Sequence, residues 1–267
     1  MKIFAGRKTN RFMSRPLSNQ TSRQIPRWNE VTAVFGGTFD PPHFGHREAV
    51  AGLFKNPGVQ RVLVIPSATP PQKPQAIASE HRVAMAKICF SERLASDSLA
   101  SAVKGEIKID TREIDRAKKN FGHPSYTFDT LHELRRDFSQ LAFVLGSDQL
   151  ANLTTWHRFP EVLGLCHWIV LARKPDGERI AETTLQEWQA SGWVKKENSV
   201  WKVSSSVAAS SPTISVFPTD ARDVSSRNIR EKLAKEGPTG SFDTLLPSEI
   251  LSYLMEHRLY GTGSGRK

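Results

Sequence analysis

The chain has 267 residues, 38% of them hydrophobic and 24% charged, a balance that suits a globular protein with a sizeable core. No apolar run approaches the roughly 18 residues that cross a bilayer, which excludes a helical membrane protein. The formal net charge is +10, but residues 1–30 carry +6 of it and the other 237 residues only +4, so the body is no more basic than a binder of phosphorylated metabolites needs to be.

The first thirty residues hold Lys2, Arg7, Lys8, Arg11, Arg15, Arg23 and Arg27 against Glu30 alone. With few periodic apolar residues, the segment reads as a disordered and dispensable basic extension. Three other readings stay open: a transit peptide, a start of translation at Met13 or later, and a basic arm for nucleic acid. The only cysteines, Cys89 and Cys166, lie outside any Cys-x-x-Cys or Cys/His cluster. They exclude a disulfide scaffold, argue against a structural zinc site, and read as free thiols of a cytoplasmic protein.

From residue 31 the pattern alternates strand and helix. Val31 to Phe35 is an apolar run that ends in Gly36-Gly37, and helical spacing follows from His43 to Phe54. Arg61 to Ile65 is the next strand, stopped by Pro66, with a Pro-rich loop to Pro74 and a helix over Ser79 to Leu94. Glu106 to Ile114 alternates as a strand would, and Ser125 to Phe138 is helical with Leu131 and Leu134 inward and Arg135-Arg136 outward. Leu141 to Leu145 is the clearest strand, ended by Gly146, and His167 to Ala172 is another. Residues 176–211, with Trp188, Trp193 and Trp201, lack strong periodicity and read as a surface insertion with some local helix. Thr213 to Phe217 is the last strand, and helices near Arg227–Lys235 and Pro247–His257 close the domain, leaving 262–267 as a tail.

Strands separated by helices imply parallel βαβ units with right-handed crossovers. The fold class is α/β, a doubly wound, Rossmann-like parallel sheet with helices on both faces. Such sheets bind ligands at the carboxyl ends of their strands. The positions to watch therefore follow Phe35, Ile65, Leu145 and Phe217.

The first of these carries Gly36-Gly37-Thr38-Phe39-Asp40-Pro41-Pro42-His43-Phe44-Gly45-His46. Two glycines let backbone approach a ligand, and the loop opens a helix whose free N–H groups attract anions. His43 and His46 are three apart and share a helix face near that N-terminus. Gly45 between them reads as room for a base or a phosphate. The loop is neither GxxxxGK[ST] nor GxGxxG.

The stretch GGTFDPPHFGH resembles the nicotinate-nucleotide adenylyltransferase family, within the HxGH nucleotidyltransferases, and the resemblance runs from about residue 31 to 261. Pro70-Pro71-Gln72-Lys73 is similar to its Pro-Pro-His-Lys loop, with Gln72 for His. Pro124 to Leu131 resembles its PSYTxxTL segment, and Gly146-Ser147-Asp148 followed by Trp156 its GxD…W segment. Val224 to Arg230 resembles its ISSTxIR motif with Arg227 for Thr, and Leu246-Pro247 and Leu259-Tyr260 match its C-terminal pattern.

The resemblance implies transfer of AMP from ATP to nicotinate mononucleotide, giving deamido-NAD and pyrophosphate. It implies Mg2+ carried on the ATP phosphates, no protein metal site and no nucleic-acid partner. His43 and His46 are the implied catalytic pair. Gly36, Gly37, Thr38, Phe39, Lys73, Asp148, Ser225, Ser226 and Arg230 are the implied ATP contacts. Tyr126, Thr127, Gly146 and Trp156 are implied for nicotinate mononucleotide, with Trp156 stacking on the ring. Nicotinamide mononucleotide as acceptor, another HxGH transfer and a non-catalytic nucleic-acid binder are the alternatives.

Overall fold

The computed structural model describes residues 30–55, 58–68, 75–91, 105–120 and 124–262. The N-terminal extension up to residue 29, Gln72, Lys73 and residues 263–267 lie outside the described residues.

Eight strands form one sheet among the described residues: β1 (Val31–Gly37), β2 (Val59–Pro66), β3 (Glu106–Ile109), β4 (Leu141–Gly146), β5 (His167–Arg173), β6 (Val194–Glu197), β7 (Val200–Val203) and β8 (Thr213–Thr219). Their order is β3-β2-β1-β4-β5-β8-β7-β6. The first six run parallel, and β7 and β6 continue the sheet antiparallel. The chain winds outward from β1 through β2 to β3, then returns to place β4 on the other side of β1. That reversal between β1 and β4 opens a crevice at their carboxyl ends.

The helices are α1 (Phe44–Leu53), α2 (Ser79–Cys89), α3 (Arg112–Lys119), α4 (Thr127–Asp137), α5 (Ser147–Ala151), α6 (Gly177–Ala190), α7 (Ser226–Glu236) and α8 (Ser248–Glu256). Side chains alternate along a strand, so β1 feeds two cores. Val31, Ala33 and Phe35 join Ala142 and Val144 of β4 and pack against α1, α2, α7 and α8 through Leu53, Met85, Ile229 and Ile250. Val34 joins Phe143 and Leu145 and packs against α4, α5 and α6 through Leu131, Leu150 and Leu185. Both faces are covered, and the strands read as apolar runs because both sets of side chains are buried.

Two expectations change. The stretch Glu106 to Ile114 is a strand only to Ile109; from Arg112 it turns into α3, whose first turn carries Glu113 and Asp115, favourable at a helix start. Residues 176–211 contain the 14-residue helix α6 and the β6–β7 hairpin, which extends the sheet. Trp188 and Trp201 are buried there, and Trp193 packs edge-on against Phe159 at 4.8 Å between ring centres. Cys89 and Cys166 are both buried and free, and burial pushes both thiols up to about 12.

Candidate active site

A cleft of about 380 Å³ opens at the carboxyl ends of β1 and β4. One wall is the loop after β1 with His46, Ser67, Arg173 and Ser226. The other is built from Ser125 to Phe128, Gly146, Asp148, Trp156 and His157. Segments far apart in sequence thus meet on one cavity.

The loop Gly36 to Phe39 is shaped by its own side chain. Phe39 has a left-handed φ of 53° and its ring is buried, 5.9 Å from Phe35, 5.2 Å from His46 and 5.8 Å from Phe90. A Cβ on Gly37 would stand 2.9 Å from that ring, so only glycine lets the backbone pass over it. Phe39 acts as the packed floor of the loop.

His43 is the N-cap of α1; its Nδ1 accepts the backbone N–H of His46 at 3.3 Å. The two rings stack at 3.7 Å between centres. Burial first, and the positive Arg173 second, push the His43 pKa down to about 3. A neutral imidazole that accepts at Nδ1 carries its proton on Nε2. His43 is 2% exposed and does not line the cleft, whereas His46 does. The pair expected to face phosphate together is divided into a buried cap and a wall residue.

Gly45 has a different reason from the expected one. Its missing Cβ would lie 2.7 Å from the backbone oxygen of Arg222, so the space is taken by protein, not by ligand. At α7, Ser225 is the N-cap and accepts the N–H of Asn228 at 3.1 Å, while the Ser226 hydroxyl donates to Pro41 O at 2.8 Å. Arg230 donates to Asp40 O at 2.5 Å, which ties α7 to the β1 loop. Ser226 lines the cleft, whereas Ser225 and Arg230 are not among its lining residues. Arg227, the departure from the family pattern, is exposed and pairs with Glu231 at 3.1 Å.

On the second wall, Tyr126 precedes α4 and stacks on His157 at 4.3 Å, with Thr127 opening the helix. Trp156 is half-buried with its ring edge-on to Phe143 at 5.9 Å. Gly146 is the N-cap of α5, and its N–H donates to Gln149 Oε1 at 3.2 Å, which leaves the Asp148 carboxylate exposed in the cleft.

The chain matches the Cytidylyltransferase-like family over residues 34–232. It is 33% identical over 234 residues to a protein of Sodalis glossinidius named "Probable nicotinate-nucleotide adenylyltransferase", covering 86% of this chain and 97% of the relative. A namesake from Pectobacterium atrosepticum is 32% identical over 239 residues, covering 86% and 98%. The chain belongs to the nicotinate-nucleotide adenylyltransferase family. The fold agrees with a solved structure, Plasmodium falciparum nicotinic acid mononucleotide adenylyltransferase complexed with APC. That likeness has a TM-score of 0.61 at 16% identity and covers 87% of this chain and 98% of that one.

Among the residues that escaped the sequence reading, Arg173 and Glu113 line this adenylyltransferase-family cleft, and Arg82 bonds two of its loops. Arg173 ends β5 and lines the cleft, 3.5 Å from the exposed Asp223. Glu113 lines it from α3, buried, accepting the Thr130 hydroxyl at 2.7 Å; burial raises its pKa while Thr130 and Arg116 act the other way. Arg82, 1% exposed, donates to the carbonyls of Thr38 (2.9 Å), Ser67 (2.6 Å), Ala68 (2.8 Å) and Ile77 (2.9 Å). It binds the loop after β1 to the loop after β2.

Proposed function

We infer that the protein transfers AMP from ATP to nicotinate mononucleotide, releasing pyrophosphate and forming deamido-NAD. The observation that carries this reading is the meeting of the GGTFDPPHFGH loop, the PSYT helix start and the GSD…W segment on one cleft.

The attacking atom is a phosphate oxygen of the mononucleotide, already anionic near neutral pH, so no general base is needed to create it. The oxygen attacks the α-phosphorus of ATP, the α–β bridging P–O bond breaks, and pyrophosphate departs with the electron pair. The protein's task is to align two anions and offset charge on the leaving group. His46 and Arg173 do this from the cleft wall, with Arg230 and the α7 N-terminus behind. His43, neutral, serves by capping α1 and holding the His46 ring in place, and its Nε2–H is the one proton it can offer. Gly36, Gly37 and Thr38 present backbone and a hydroxyl to the nucleotide, and Asp148 faces its ribose hydroxyls.

On the other wall the Tyr126–Thr127 helix start takes the nicotinate carboxylate, and Trp156 offers its face to the pyridine ring. Among the described residues no cluster of three or more His, Cys, Asp or Glu could hold a metal. Mg2+ would be carried by the phosphates and water of ATP, where it would offset phosphate charge. Also among the described residues, no helix is long and apolar enough to cross a membrane. The reaction is assigned to the cytoplasm, where the two free thiols stay reduced.

The test is a product assay with ATP, Mg2+ and either nicotinate or nicotinamide mononucleotide. Deamido-NAD should form much faster than NAD. Faster NAD would keep the transfer chemistry and overturn the base assignment to Thr127 and Trp156. No dinucleotide from either, with folded protein, would overturn the reading.

A further inference from the structure

Asp40 lies in the middle of the β1–α1 loop, and its side chain is 7% exposed. A carboxylate so deeply buried needs partners, and they come from the far end of the chain. The Tyr260 hydroxyl donates to Asp40 Oδ1 at 2.5 Å. Arg230 Nη1 donates to the Asp40 carbonyl at 2.5 Å and stands 3.7 Å from Oδ2.

The turn that carries Tyr260 is itself constrained. Arg258 and Tyr260 both have φ of 50°, a left-handed conformation that bulky residues rarely adopt. Such backbone persists where its surroundings over-determine it. Here the Thr262 hydroxyl bonds the carbonyls of Leu254 (2.7 Å) and Leu259 (2.9 Å), and Tyr260 packs partly buried against the core beneath α7 and α8. Burial raises the Tyr260 pKa far above that of a free tyrosine, so the hydroxyl stays a donor.

We propose that Tyr260 is a positioning residue of the transferase site: its hydroxyl, through Asp40, fixes the carbonyl on which the Arg230 guanidinium is docked. The C-terminal turn thereby sets the phosphate-binding arginine and the HxGH loop as one unit. The proposal rests on the assignment of Arg230 to the ATP phosphates.

Tyr260→Phe removes one hydroxyl and keeps the ring. ATP affinity of the full-length protein is measured by calorimetry for wild type, Tyr260→Phe, Arg230→Ala and the double variant, with KM for both substrates and the thermal midpoint. Tyr260→Phe should weaken ATP binding about tenfold, the scale of one hydrogen bond to a charged group. KM for the mononucleotide should stay within about twofold on the same scale. In the double variant the Tyr260→Phe effect should largely vanish, because the arginine it positions is gone. If Tyr260→Phe lowers the thermal midpoint while ATP affinity stays unchanged, or if the two effects simply multiply, the proposal is overturned. If Arg230→Ala weakens ATP and Tyr260→Phe does not, the arginine assignment stands and the positioning role falls. If Arg230→Ala leaves ATP affinity unchanged, both fall.

Discussion

His43 accepts the backbone N–H of His46 on its Nδ1 at 3.3 Å, and the two rings stack at 3.7 Å. The arrangement separates the two histidines by job. One is a buried helix cap that has to be neutral; the other faces the cleft.

The neutral cap has a consequence for acid stability. His43 has its pKa pushed from 6.5 down to about 3, chiefly by burial. In the unfolded chain it takes up a proton near pH 6.5; in the folded protein it does not until about pH 3. The unfolded state therefore binds more protons across that window, and this stabilising contribution is complete above pH 6.5 and is lost as pH falls. The slope from this residue reaches about 1.4 kcal/mol per pH unit. His43→Asn keeps a capping side chain and removes the titration. Urea unfolding from pH 7 to 4 should show a shallower dependence in the variant. An unchanged slope would mean His43 is not the buried neutral group.

Arg82 stitches two cleft loops through four carbonyls. Arg82→Met would fill the space but leave those acceptors unpaired, at about 1 kcal/mol each. The expected loss is about 4 kcal/mol in a denaturant melt, with ATP binding weakened as well, because Thr38 and Ser67 both line the cleft. A variant as stable as the wild type would show that the loops hold their own shape.

Among the described residues, Arg173 is a cation of the cleft whose one ion pair is with an exposed carboxylate, Asp223. Exposed pairs of this kind contribute about 0–1 kcal/mol to stability. Arg173→Ala should therefore leave the melting temperature nearly unchanged while kcat/KM falls about tenfold or more, the scale of one charge-assisted contact to phosphate. Unchanged kinetics would remove Arg173 from the phosphate-binding set.

Most of the parallel sheet was legible because buried parallel strands are short apolar runs bounded by Gly or Pro, as in Val31 to Phe35 and Leu141 to Leu145. The failures have physical causes. Glu106 to Ile114 alternates apolar and polar residues across a strand and the start of a helix, and reading it as one strand hid Glu113. The end of β5 was not among the strand ends singled out, so Arg173 was missed although the same carboxyl-end rule points to it. Arg82 gave no signal: one arginine in a helical pattern reads as surface, and only the fold brings four carbonyls to it. In α6 the buried face is Ala181, Thr184, Leu185 and Trp188, with correct helical spacing but two small or polar members that blur it. In β6 only Val194 is buried of Val194-Lys195-Lys196-Glu197, because an edge strand keeps charges outward.

In the proposed transfer of AMP, His46 acts on the leaving phosphates of ATP. The direct measurement is turnover of ATP and nicotinate mononucleotide to deamido-NAD by His46→Ala, beside its circular dichroism and melting curve. The expected result is folded protein with turnover reduced about a hundredfold or more, as for loss of a preorganised donor to developing charge. A folded His46→Ala protein with near-normal turnover would contradict it.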